Sequence, residues 1–134
     1  MRSTDSEQDL DRLVQLLLRT FRTNFTRVRW KIRRSPKCPG TATTRTLETC
    51  DPGQNLIVLY PNNHLPKDGP LEQTTLHAII HMSLMLSSEP NQERIVLGME
   101  RLLWKYLPKT YRRWLRRLVK ESKETNGGGK KLDR

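Results

Sequence analysis

Apolar residues recur at helical spacing in four stretches of the chain. The first covers residues 6–25 and follows short polar side chains that can accept hydrogen bonds from the free amides of a helix start. The others cover residues 71–86, 93–107 and 109–123, and prolines separate them. The pattern therefore predicts one helix at the N-terminal end and three in the second half of the chain.

The region between the first two helices has the pattern of strands. Residues 27–33 alternate charged and apolar side chains, as in a strand with one buried face. Residues 41–47 are rich in threonine and give a weaker strand signal, and residues 51–53 read Asp-Pro-Gly, a turn sequence. Residues 56–60 are apolar on both faces, which is typical of a central strand. The sequence thus predicts an α+β protein with a small three-stranded sheet.

Length and composition set the domain organisation. A chain of 134 residues fits one domain, which we expect over residues 1–123, followed by a disordered basic tail over 124–134. No stretch is apolar for the roughly 20 residues of a membrane span, and the polar start does not resemble a signal peptide. Cys38 and Cys50 form no C-x-x-C pair, so we expect free thiols. An intracellular protein, cytoplasmic or nucleoid/nuclear, is the expectation.

Charge is distributed unevenly along the chain, which carries a net +11. Both ends are basic and the centre is acidic. On the last predicted helix, cations lie opposite Trp114 and Leu115, and five of them form a candidate nucleic-acid-binding face: Arg112, Arg113, Arg116, Arg117 and Lys120. An anionic membrane surface or an acidic protein would suit the same face, and so would plain solvation.

The candidate chemistry lies on the second predicted helix. His77 and His81 are four residues apart, so their imidazoles lie on one helix face and can hold one metal ion. The spacing is that of the H-E-x-x-H motif, in which the glutamate deprotonates metal-bound water, but Ala78 stands at the glutamate position. Taken alone, the pair is a weak signal, because two partly buried helix histidines bonded to carbonyls are the more common case.

The surroundings of the pair resemble the minimal zinc metallopeptidases, or zincins, of the ImmA/IrrE-like and SprT-like groups. The resemblance covers residues 28–107: a strand and a glycine, an apolar strand, a proline-rich loop, and Thr74-Thr75-Leu76 leading into the histidines. It implies a minimal zincin fold, a Zn²⁺ cofactor and hydrolysis of a peptide bond in a protein substrate, such as a DNA-bound protein or a repressor.

The resemblance also implies a third zinc ligand. SprT-like domains take a downstream histidine, but none follows His81, so a glutamate of the next helix is implied, as in the ImmA/IrrE group. Glu93 is our prediction, with Glu100 and Glu89 as alternatives.

Ala78 predicts that the chain is inactive as written, because a methyl group cannot accept the proton of zinc-bound water. A natural protein that has lost catalysis and an inactivating substitution both explain the alanine. Ala78→Glu is expected to create or restore zinc-dependent peptidase activity. The alternative hypothesis is a non-enzymatic, basic nucleic-acid-binding protein in which the histidine pair is structural.

Overall fold

A computed structural model describes residues 5–41 and 45–125 of the chain. Within these residues the protein is α+β, as predicted, and no helix there is long and apolar enough to cross a membrane. The helices are α1 (Asp5–Thr23), α2 (Leu71–Ser83), α3 (Pro90–Tyr106) and α4 (Lys109–Lys120). The strands are β1 (Lys31–Arg34), β2 (Glu48–Asp51), β3 (Leu56–Leu59) and β4 (Lys123–Glu124).

The strands form one sheet with the order β2-β3-β1-β4. β3 and β4 both pair with β1 in parallel, whereas β2 pairs with β3 antiparallel. The prediction that the apolar strand is central is confirmed, because Ile57 and Leu59 of β3 are fully buried between two neighbouring strands. β2 lies at one edge of the sheet and packs against α2.

The sheet has four strands in the described part of the chain, one more than the sequence predicted. The additional strand, β4, lies at the start of the predicted tail, and the Thr125 amide then donates to the Arg34 carbonyl at 2.7 Å. The Arg34 guanidinium also donates to the Ser122 hydroxyl at 2.8 Å. Residues 126–134, the rest of that predicted tail, lie outside the described residues.

Two predicted strands are displaced along the chain. The threonine-rich residues 41–47 are not a strand where the structure describes them; β2 starts at Glu48, because its pairing with β3 begins opposite Leu59. β1 starts at Lys31, since a 3-10 turn at Phe25–Arg27 precedes it. Threonine favours strands only weakly, and pairing with a neighbour decides where a strand lies.

Helix boundaries differ from the prediction by three residues between α2 and α3 and at the end of α4, which ends at Lys120 and not at residue 123. α2 ends three residues before the predicted end, and α3 begins at Pro90, three residues before the predicted start. Proline suits the first position of a helix, where its missing N–H is not needed. The Glu89 carboxylate caps this helix by accepting from the amides of Asn91 and Gln92.

The core surrounds α2. Leu76, Ile79 and Ile80 are almost fully buried, and every residue from 74 to 82 is buried. α2 contacts β2, β3, α3 and α4. A helix enclosed in this way places its polar residues away from water as well, so that its two histidines need partners inside the protein.

Candidate metal centre

Three side chains converge at the interface of α2 and α3. The Nε2 atoms of His77 and His81 lie 3.1 Å apart. One carboxylate oxygen of Glu93 lies 2.6 Å from Nε2 of His81, and the other lies 3.0 Å from Nε2 of His77. The three candidate ligand atoms all lie within 4.8 Å of one another. The structure thus brings together the two histidines and the glutamate predicted from the sequence.

The outer nitrogens of the two rings fix which atoms face the centre. Nδ1 of His81 lies 2.9 Å from the Leu86 carbonyl, which can only accept, so this nitrogen carries the hydrogen. Nδ1 of His77 lies 2.7 Å from the Glu100 carboxylate. In the neutral rings each Nε2 therefore carries a lone pair, and this lone pair is directed at the centre.

Two lone pairs and a carboxylate facing one another at these distances fit a cation. With metal–nitrogen bonds of about 2.0–2.1 Å, an Nε2–Nε2 separation of 3.1 Å corresponds to an angle of roughly 100° at the ion, near the tetrahedral value. Three protein ligands leave a fourth position for water or substrate. His77, His81 and Glu93 therefore form a candidate metal site.

Glu100, the first alternative ligand, instead contacts Nδ1 of His77, the ring nitrogen that faces away from the centre. It is only 8% exposed and accepts from the Gln73 amide at 2.5 Å as well as from His77. Burial lowers the pKa of His77, but the hydrogen bond to Glu100 and the charges of Glu48, Glu93 and Glu100 outweigh it and raise that pKa. Glu89, the second alternative, caps α3, which leaves Glu93 as the glutamate at the centre.

The end of α2 positions the carbonyl that orients His81. The Leu86 amide donates to the His81 carbonyl at 2.9 Å, and the Met85 amide donates to the Met82 carbonyl at 3.4 Å. These are the two bonds of a Schellman motif, with Met85 in the left-handed conformation at φ 54°. The motif turns the chain back so that the Leu86 carbonyl reaches Nδ1 of His81.

Ala78 is fully buried on the side of α2 that faces the sheet. The Cys50 thiol of β2 lies 4.0 Å from the Ala78 carbonyl. Burial, with the charges of Glu48 and Glu93, raises the pKa of Cys50 to about 12, so the thiol stays protonated at neutral pH. Neither residue supplies a base.

Glu48 is a member of the site that the sequence prediction missed. It lies at the start of β2 and lines a cleft of about 500 Å³ together with His77, Glu93 and Glu100. Burial raises its pKa to about 7; the histidines oppose this shift, and the charges of Glu93 and Glu100 add to it. The alternation of side chains along Glu48-Thr49-Cys50 is a sequence signal for a strand that includes Glu48. The strand predicted over residues 41–47 ends just before it.

The predicted basic face of α4 divides in two. Arg113, Arg116, Arg117 and Lys120 are exposed. Arg112 is turned inward: its guanidinium donates to the carbonyls of Trp104 and Leu107 and lies over the Trp104 ring, 4.5 Å from its centroid. Arg112 therefore joins α4 to the end of α3.

Comparisons with protein-family models, with curated proteins and with solved structures found no match. The resemblance to minimal zincins stays a prediction from the sequence.

Proposed function

We propose that this protein is a zinc-binding domain of the metallopeptidase type, with His77, His81 and Glu93 as the zinc ligands. The observation that supports this most directly is the convergence of two Nε2 lone pairs and one carboxylate, with both rings oriented by partners on Nδ1. Zinc at such a site polarises a scissile carbonyl and lowers the pKa of bound water.

The donor set favours zinc over other common ions. Magnesium and calcium prefer oxygen ligands, whereas two imidazoles and one carboxylate with an open position are typical of catalytic zinc. The orientation of the rings by Glu100 and the Leu86 carbonyl is also a common property of zinc-binding histidines.

Residue 78 contributes nothing to proton transfer in this proposal. A positioned general base contributes roughly 10²–10⁴-fold to a rate, so without any acceptor the chain would be almost inactive. Peptide-bond hydrolysis by this chain depends on a proton acceptor other than Ala78.

Zinc content tests the proposal. Protein that has been depleted of metal, reloaded and desalted should hold one equivalent of zinc by atomic emission, and His81→Gln should hold almost none while keeping its circular dichroism spectrum. His64→Gln is the matched control, because His64 contacts Thr74 and is not part of the candidate group. Failure of the parent to hold zinc, or full zinc content in His81→Gln, would contradict the proposal.

Nucleic-acid binding by α4 is a second candidate function. Its support is the spacing of Arg113, Arg116, Arg117 and Lys120, which places four exposed cations on one helix face. Among the residues that the structure describes, Arg116 has only a long contact of 3.9 Å with Glu72 to offset its charge.

A further inference from the structure

We propose that Glu48, on the edge strand β2, is the proton acceptor of this site and takes the role that a glutamate at position 78 would have. The inference rests on the proposed zinc site. It makes the chain competent for amide hydrolysis as it stands, in contrast to the expectation from the motif alone.

The position of β2 carries the argument. Side chains alternate along a strand, so Glu48 and Cys50 face one side and Thr49 the other. Thr49 is exposed and its hydroxyl lies 3.2 Å from that of Tyr60, whereas the Cys50 thiol contacts the Ala78 carbonyl. The face that carries Glu48 therefore lies on the turn of α2 that contains the histidine motif.

Glu48 is placed to act on water near the ion rather than to bind the ion. It lines the same cleft as His77 and Glu93, but it is not part of the group whose ligand atoms all lie within 4.8 Å of one another. A proton acceptor must be within hydrogen-bond reach of the water and need not reach the metal.

The Glu48 carboxylate is also uncommitted. Among the described residues no hydrogen bond or ion pair holds it, and its interactions are with the charges of the histidines, Glu93 and Glu100. Glu93, Glu100 and Glu89 are all held by hydrogen bonds or ion pairs.

The proposed reaction is a hydrolysis and needs no co-reactant. Glu48 takes one proton from the attacking water, and the water oxygen forms a bond to the carbonyl carbon. As the carbon–nitrogen bond breaks, Glu48 passes that proton to the leaving nitrogen. The products are a carboxylic acid and an amine, and Glu48 is again a carboxylate.

Ala78 agrees with this arrangement. Its small side chain is fully buried in the core beside β2, and the Cys50 thiol packs against its carbonyl. A glutamate at position 78 would place a second carboxylate near Glu48 with the same task.

Acetohydroxamate is a probe that requires no knowledge of the substrate. It binds zinc through two oxygens and loses a proton as it does so, and a neighbouring carboxylate accepts that proton. We would titrate it by calorimetry into zinc-loaded parent, Glu48→Gln and the matched control Glu72→Gln, in two buffers of different ionisation enthalpy. Glu72 is a half-buried carboxylate of α2 that does not line the cleft.

Glu48→Gln should hold zinc as the parent does, bind acetohydroxamate at least about tenfold more weakly, and release more protons to the buffer. Glu72→Gln should match the parent, and Ala78→Glu combined with Glu48→Gln should recover affinity.

Unchanged affinity and proton release in Glu48→Gln would overturn the inference. So would a tenfold loss of zinc affinity, because Glu48 would then be a ligand. A parent without zinc would refute the proposed function itself, and the zinc content reveals that case separately.

Discussion

The direction of each histidine is decided by what touches its outer nitrogen. Glu100 lies behind His77, and the Leu86 carbonyl lies behind His81. Each contact holds a ring in one tautomer and turns its Nε2 toward Glu93. In the proposed zinc site, the affinity for the ion would therefore depend on residues that are not ligands.

Glu100→Gln should weaken zinc binding roughly 10–100-fold, because the amide supports His77 without the carboxylate's charge. Competition with a chromophoric chelator at pH 7.5 measures the change. Glu72→Gln is the control, because Glu72 is also a carboxylate of the α2–α3 region but is not part of the candidate metal group. It should bind zinc like the parent. Equal affinities in the parent and Glu100→Gln would show that the hydrogen bond to His77 does not strengthen the site.

Glu48 should make the stability of the metal-free protein depend on pH. Its folded pKa of about 7 lies above the ordinary value of 4.5, so between these values the folded state holds a proton that the unfolded chain has lost. Stability should therefore fall as pH rises through this window. Glu48→Gln should be more stable than the parent at pH 8 by roughly 1–3 kcal/mol, and similar to it at pH 4.

Urea denaturation with a chelator present, at pH 4, 6 and 8, measures this difference. A parent and variant that stay equally stable at all three pH values would contradict the raised pKa of the half-buried Glu48 carboxylate.

At the scale of elements, local pattern predicted the helices well and the strands less well. The period of apolar residues located α2 and α3 and placed His77 and His81 on one helix, whereas the choice of Glu93 came from the resemblance to the ImmA/IrrE group; the structure places all three together. Glu48 was missed because the strand was predicted over residues 41–47, and because local pattern cannot show that β2 docks on α2, where Cys50 contacts Ala78 across 28 residues of the chain. Arg112 was predicted to face outward because the period cannot show that the end of α3 lies beside it.

The Schellman turn after α2 offers a test at this scale. Met85 adopts a left-handed conformation that favours glycine, and its side chain is 89% exposed, so removing it costs little packing. Met85→Gly should raise the free energy of unfolding by roughly 0.5–1 kcal/mol without loss of zinc affinity. Thermal and urea unfolding measure it, with Met85→Ala as the control that keeps the strained backbone. A destabilised Met85→Gly would contradict this account of the turn.

For the whole molecule, the basic face of α4 predicts a salt-dependent affinity for nucleic acid. Replacing its four exposed cations, Arg113, Arg116, Arg117 and Lys120, by glutamine should weaken binding to duplex DNA. It should also reduce the slope of log affinity against log salt by up to about 3.6, at 0.9 per phosphate contact. Fluorescence anisotropy measures the affinity and its slope at salt concentrations of roughly 50 to 300 mM, where phosphate contacts respond to salt.

Arg112→Gln is the matched comparison. It removes one positive charge from the same helix, but from a side chain that donates to the carbonyls of Trp104 and Leu107. We expect it to lower stability and leave the salt slope nearly unchanged. Equal slopes in the fourfold variant and the parent would reject α4 as the nucleic-acid surface.

The compact sequence span of the metal group has a consequence for the order of folding. His77, His81, Glu93 and Glu100 all lie in the contacting helices α2 and α3, and the second histidine and Glu93 are 12 positions apart in sequence. Closing so short a loop costs little entropy, so this pair can assemble early and capture the ion. Glu48 joins this group only when β2 docks on α2, where the contact between Cys50 and Ala78 spans 28 residues. In the proposed site, capture of metal would thus precede the capacity for hydrolysis, and the folding chain would be protected from its own chemistry until β2 docks on α2.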